Sequence, residues 1–165
     1  MLKSLTLLKI YIGCTVVFFL ILVGAYYYTD PTASKNLLNI EVVPSFNHIF
    51  LNNVKVALLL IFLAPLTLGF GTIIILVINA LVLGSFCGSI KNDLNLIVLV
   101  LPHGIIEVPI LILAASVGYK LFLDLIQKKF KGMFFLNYLL IIIIGLLIAA
   151  CIETFVTPIF LKGVY

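Results

Sequence analysis

The run VKVALLLIFLAPLTLGFGTIIILVINALVLGSFCGSI, residues 54–90, carries one charge, Lys55. As a single helix it would be about 55 Å long, against a bilayer hydrocarbon core of about 30 Å. It therefore has to fold back on itself. Pro65 and Gly69-Phe70-Gly71 are the expected break, because proline removes a backbone donor and glycine accepts turn geometry. Two spans result, over residues 53–68 and 72–90. The topology of every later residue depends on this break. A re-entrant hairpin over residues 54–68 would invert it.

The rest of the chain has the same character. Of 165 residues, 64% are hydrophobic and 10% charged, where soluble domains are roughly 45–50% apolar and 25% charged. The expectation is an all-α, polytopic membrane bundle of about five spans, forming one integral membrane domain over residues 1–165. Further spans fall at 10–28, 94–119 and 134–157. The outer loop is 29–53, with room for a short surface helix over 37–43 or 46–51, and a basic cytoplasmic loop occupies 120–131. Tyr26-Tyr27-Tyr28 reads as an interfacial belt rather than a signal cleavage site. All ten basic residues are lysines. Lys3 and Lys9, with the cluster Lys120, Lys128, Lys129 and Lys131, place the amino terminus and the 120–131 loop inside. A net charge of +4 suits anionic inner-leaflet lipid, and nucleic acid is not an expected partner. Cys14, Cys87 and Cys151 are widely spaced within apolar runs, with neither zinc-ligand nor redox spacing, and read as small buried hydrophobes. His48 reads as a solvated loop residue. Gly84, Ser85, Gly88 and Ser89 give the third span a face for close helix packing.

Polar chemistry inside the apolar runs is concentrated in a few places. The stretch Leu101-Pro102-His103-Gly104-Ile105-Ile106-Glu107-Val108-Pro109 sits in the fourth span. An ionisable residue at the bilayer centre costs roughly 2.5–3.5 kcal/mol on insertion scales, so such residues face protein or a water-filled cavity. His103 and Glu107 are four apart, one helical turn, and two prolines and a glycine weaken the helix around them. A discontinuous helix at Pro102–Pro109 follows. Glu153 lies near the outer end of the fifth span, Asn79 in the middle of the third, and Asn52 and Asn53 at the outer start of the second. On a five-span topology these residues share the outer half of the bilayer.

With Pro102-His103-Gly104-Ile105-Ile106-Glu107 in view, the chain resembles the stage II sporulation protein M family. Asn52-Asn53-Val54-Lys55-Val56-Ala57 is similar to that family's "NN-(I/V)-(K/R)-V" opening of its second helix. Asn79-Ala80-Leu81-Val82-Leu83-Gly84 resembles its "N-G-L-(L/V)-(L/I)-G", with Ala80 replacing the usual glycine. Ala149-Ala150-Cys151-Ile152-Glu153-Thr154-Phe155-Val156-Thr157-Pro158 resembles its closing "A-A-x-(I/L)-E-x-(F/Y)-(V/I)-T-P". The similarity runs over residues 50–158. It implies a polytopic membrane protein in the plasma membrane of a prokaryote. It implies a role as a scaffold for cell-wall hydrolases in sporulation, or as a maturation or export partner in circular bacteriocin biosynthesis beside an ABC-type exporter. The compact chain suits the second setting at least as well as the first.

Three uses of the polar set stay open from the residues alone. His103, Glu107 and Glu153 have the ligand count of a catalytic divalent-metal site, zinc for instance, with an open position for water. Such a site would serve an intramembrane peptidase or ligase acting on a peptide substrate. It lacks a His-Glu-x-x-His motif and a separate general base. A glutamate sharing a proton with a histidine could instead couple proton or ion transport, although the polar residues reach only part-way across. In the third use, Glu107, His103, Asn79 and Glu153 form a packing network that shapes a groove for partner proteins.

Overall fold

The structure, a computed structural model, describes residues 2–31, 45–92 and 103–157, with side chains from Thr6 onward and without that of His103. Five helices carry it: α1 Leu2–Tyr28, α2 Phe46–Leu66, α3 Phe70–Ser89, α4 Val108–Ile126 and α5 Gly132–Cys151. A π-helical turn, His103–Glu107, leads into α4, and another, Ile152–Val156, extends α5. Each helix, taken with its π turn, is long and apolar enough to cross a bilayer, and the described residues contain no strand. The chain is thus a helical, multi-pass membrane protein, as the composition predicts.

The fold-back occurs at the glycine, with the proline held inside α2. Leu68 takes φ 55° and Gly69 φ 91°, and the Gly69 amide donates to the Ala64 carbonyl at 2.7 Å, closing the helix end. Thr67 makes the corner. Its hydroxyl donates to Leu63 O at 2.6 Å and accepts from the Gly71 amide at 2.7 Å. A Cβ on Gly69 would fall 2.5 Å from the Tyr119 ring, whose hydroxyl donates to Gly69 O. Pro65 sits one residue from the end of α2, where the helix is finishing and the missing donor costs little. Thr72 Oγ1 donates to the Leu60 carbonyl at 2.9 Å and ties the two arms together. Both arms are long enough to span, 21 and 20 residues, as the two-span reading requires.

Several boundaries differ from the sequence expectation. The second helix begins at Phe46, so Asn52 and Asn53 lie well inside it, and the outer loop is correspondingly shorter. The alternative of a surface helix over 46–51 merges into α2, and that over 37–43 lies outside the described residues. α4 continues to Ile126, which reduces the basic loop of 120–131 to residues 127–131. Lys120 is not in that loop. It is buried in α4, paired with Asp124 one turn on, and its ammonium lies 5.9 Å from the Phe134 ring centre. A charge in this setting is tolerable only when paired. The expected discontinuity of the fourth span takes the form of the π turn at His103–Glu107, with Pro109 in the first turn of α4. Pro102 and residues 94–101 lie outside the described set.

α4 is the central helix. Buried residues make up 61% of its span, against 17% for α1. It packs on α2 and α5, and α1 lies along α3. Small residues let these pairs approach. A Cβ on Gly118 would fall 2.4 Å from the Leu60 carbonyl oxygen and 2.9 Å from Ile61 Cα, and one on Gly84 would fall 2.4 Å from the Leu22 carbonyl. Gly88 meets the Tyr26 carbonyl in the same way, which is the close packing expected of the α3 small-residue face. Lys91, just beyond α3, ties the same ends, donating to Thr29 O at 3.0 Å with the Tyr26 ring 5.9 Å away. The three cysteines are free thiols, Cys14 buried.

These approaches set a contrast that can be measured. Gly118→Val must force α2 and α4 apart and should destabilise the protein by about 1–3 kcal/mol. Gly13 has no other part of the fold within 4 Å of its would-be Cβ, so Gly13→Ala should be neutral or stabilise by up to about 1 kcal/mol through helix propensity. Unfolding in mixed detergent micelles reads both.

Candidate functional site

α2 enters, α3 leaves, α4 enters and α5 leaves at one end of the bundle. Their polar positions converge there. A cavity of about 460 Å³ is lined by Asn52, Asn53 and Val56 of α2, by Asn79, Val82, Leu83 and Phe86 of α3, and by Glu107, Glu153 and Thr157. Five of the six polar residues singled out from sequence (Asn52, Asn53, Asn79, Glu107 and Glu153) thus share one space, although they come from four segments spread over the chain. The side chain of the sixth, His103, lies outside the described residues. Its backbone belongs to the same π turn as Glu107.

Each member is placed by its local structure. Glu107 closes the first π turn and is 3% exposed. The wider π turn shifts the register between His103 and Val108, so that Glu107 points into the bundle and the following residues resume the α4 stripe. Asn53, 6% exposed, lies seven residues into α2 and donates from Nδ2 to Glu107 Oε2 at 2.5 Å. This is a charge-assisted type of bond if the carboxyl is ionised, and it is short. Asn79 spends its amide donor within α3, on the Ile75 carbonyl at 2.8 Å, so that nitrogen does not serve as an interhelical link. Glu153 sits in the second π turn, half-buried. The two acids of the site therefore both sit on π turns, a form of helix found often at functional positions.

The pairing of the two acids in one cavity preserves part of the expected ligand set of His103, Glu107 and Glu153. Among the described residues, no three His, Cys, Asp or Glu side chains gather as a metal-holding group. What the arrangement offers chemically is a set of carboxyl and amide oxygens, with amide donors, at the floor of a space walled by Val56, Val82, Leu83 and Phe86.

Sequence reasoning missed Thr157, buried at the cavity wall, although it stands in the quoted "T-P" close. It also missed Val82, Leu83 and Phe86. Their signal was helical spacing from Asn79, since positions three, four and seven residues on share its face.

The Asn53–Glu107 bond predicts a specific coupling. Asn53→Ala and Glu107→Ala should each destabilise the fold, and the double variant should be less destabilised than their sum by about 1–2 kcal/mol. The double-mutant cycle is read by equilibrium unfolding in micelles. Strict additivity would remove the bond from the account.

Comparison with known proteins gives a consistent placement. The family model described as "Stage II sporulation protein M" matches residues 11–158. An uncharacterised protein of Methanocaldococcus jannaschii is 37% identical over 78% of this chain and 79% of its own length. No solved structure gives a significant match. The matched region takes in all five helices and every residue that lines the cavity, so the chain belongs to the stage II sporulation protein M family.

Proposed function

We propose that the protein is the membrane-embedded partner of a multiprotein system acting at the extracytoplasmic side of a prokaryotic plasma membrane, and that the cavity at the ends of α2, α3, α4 and α5 is its recognition site. It serves as a scaffold, or as a maturation or export partner of the kind associated with circular bacteriocins or with cell-wall remodelling in sporulation. The observation that carries the reading is the gathering of Asn52, Asn53, Asn79, Glu107 and Glu153 around one cavity. Side chains this costly to bury in a bilayer are otherwise spent on packing alone. The turn with Lys128, Lys129 and Lys131 lies at the other end of α4. The positive-inside rule assigns that end to the cytoplasm and the cavity to the outer half.

A second reading, a metal-dependent intramembrane peptidase or ligase, draws support from the convergence of Glu107 and Glu153 on the same cavity. In it His103 would be the third ligand and a divalent ion such as zinc would supply the Lewis acid.

One preparation separates the two. The full chain is isolated in mild detergent from its own membranes, as wild type and as the Glu107→Gln and Glu153→Gln variants, and assayed for co-purifying proteins and for metal by mass spectrometry. The partner reading predicts a defined set of membrane or extracytoplasmic proteins in stoichiometric yield. It predicts that this set is lost in the variants while the chain stays folded. Stoichiometric metal that disappears in both variants, with no retained proteins, would replace it with the enzyme reading.

A further inference from the structure

The cavity has an open side, and the open side faces the bilayer. α3 packs on α1 and α2, and the end of α5 stays with α5 itself, so α3 and the Ile152–Val156 turn scarcely touch one another. Both nevertheless line the cavity, which leaves its wall incomplete between them. Val82 is at once a lining residue and 65% exposed, so it marks the rim. The surface on either side is apolar, with Ile78 and Leu81 exposed on α3 and Phe155 and Val156 on the α5 turn. A rim of that kind is covered by lipid or by another membrane-spanning segment, not by bulk water.

Inside the rim the chemistry reverses. Glu107 and Asn53 lie buried at the floor, Glu153, Asn79 and Asn52 stand around it, and the described lining residues include no Lys, Arg or His. An apolar approach ending in carboxyl and amide oxygens is complementary to a cationic group carried on an apolar helix. A lysine at mid-bilayer depth costs about 2.5–3.5 kcal/mol on insertion scales. A carboxyl-lined cavity beside it relieves that cost, so recognition inside the membrane would be strong and selective. The volume, about 460 Å³, takes a long basic side chain together with waters.

Resting on the partner reading for the site alone, we propose that the cavity is entered sideways, between α3 and the end of α5, and holds a basic side chain borne by a membrane-spanning helix of a partner protein. Glu107 and Glu153 face its ammonium or guanidinium group, Asn53 positions the Glu107 carboxyl, and the α3 face from Ile78 to Val82 packs on the partner's apolar surface.

The probe is a fluorescent synthetic Leu/Ala helix of about 20 residues, with one lysine placed at the depth of Glu107. Sister helices carry leucine or glutamate in its place. Energy transfer to the full chain in phosphatidylcholine nanodiscs reports association. The lysine helix should bind at least about tenfold tighter than the leucine helix, and the glutamate helix weakest. The Glu107→Gln/Glu153→Gln double variant should lose that preference while binding the leucine helix as before. Val82→Trp, which fills the rim without touching the acids, should block the lysine helix. Equal binding of lysine and leucine helices overturns the proposal, as does a preference that survives the double glutamine variant. A preference abolished when the nanodiscs contain phosphatidylethanolamine overturns it in favour of a lipid amine. If proteins co-purify as described above and the lysine preference is absent, the sideways basic-residue mode fails and the partner role stands.

Discussion

The bond from Asn53 to Glu107 is the point on which the arrangement depends. In a bilayer a polar group has no water to fall back on, so a glutamate 3% exposed in an apolar bundle has to be met by protein. Its amide partner lies 54 residues earlier, on a helix that reaches it only because the chain folds back at Gly69 and returns through α4. That one requirement fixes the depth of α2 against α4, and Gly118 keeps it, since a side chain there would collide with the Leu60 and Ile61 backbone. With α2 and α4 set, α3 is held to α2 through Thr72 and Leu60, and the cavity is the space left among them.

The two ends of the bundle solve the same electrostatic problem differently. At the lysine-bearing end, Lys120 and Asp124 close on each other within one turn of α4, beside Phe134, and almost no space remains around them. At the other end, two carboxyl groups are set on π turns around a cavity large enough for a guest. A self-satisfied pair is a packing element. An acid-lined cavity with an open side is a place where something else can bind.

Much of this was legible in the sequence because it follows from length and hydropathy. The 54–90 run had to bend, and the polar residues had to share a protein-lined space. The exact break was less legible. Pro65 looked as strong a breaker as Gly69, but a proline near a helix end forfeits little, while Gly69 has a ring against its Cα and a left-handed φ. Lys120 read as loop because charge outweighed its neighbour four residues on, yet the Lys120/Asp124 spacing was itself the signal of a pair on one helix face. The π turns left no mark at all in composition. One extra residue per turn changes which side chain faces inward without changing which residues are present. The approach of α1 to α3 and of α2 to α4 was visible only as small residues, whose partners are not encoded locally.

The central claim is that residues from four separated segments surround one intramembrane cavity. Bridging by a short bifunctional thiol reagent tests it most directly, in a chain whose Cys14, Cys87 and Cys151 have been replaced by serine. The pairs Asn53→Cys with Glu107→Cys, and Asn79→Cys with Glu153→Cys, are compared with Lys55→Cys with Glu107→Cys, since Lys55 is exposed and does not line the cavity. The account predicts efficient bridging of the first two pairs in native membranes and little of the third. Bridging of all three to the same extent, or of none of the first two in folded protein, would contradict it.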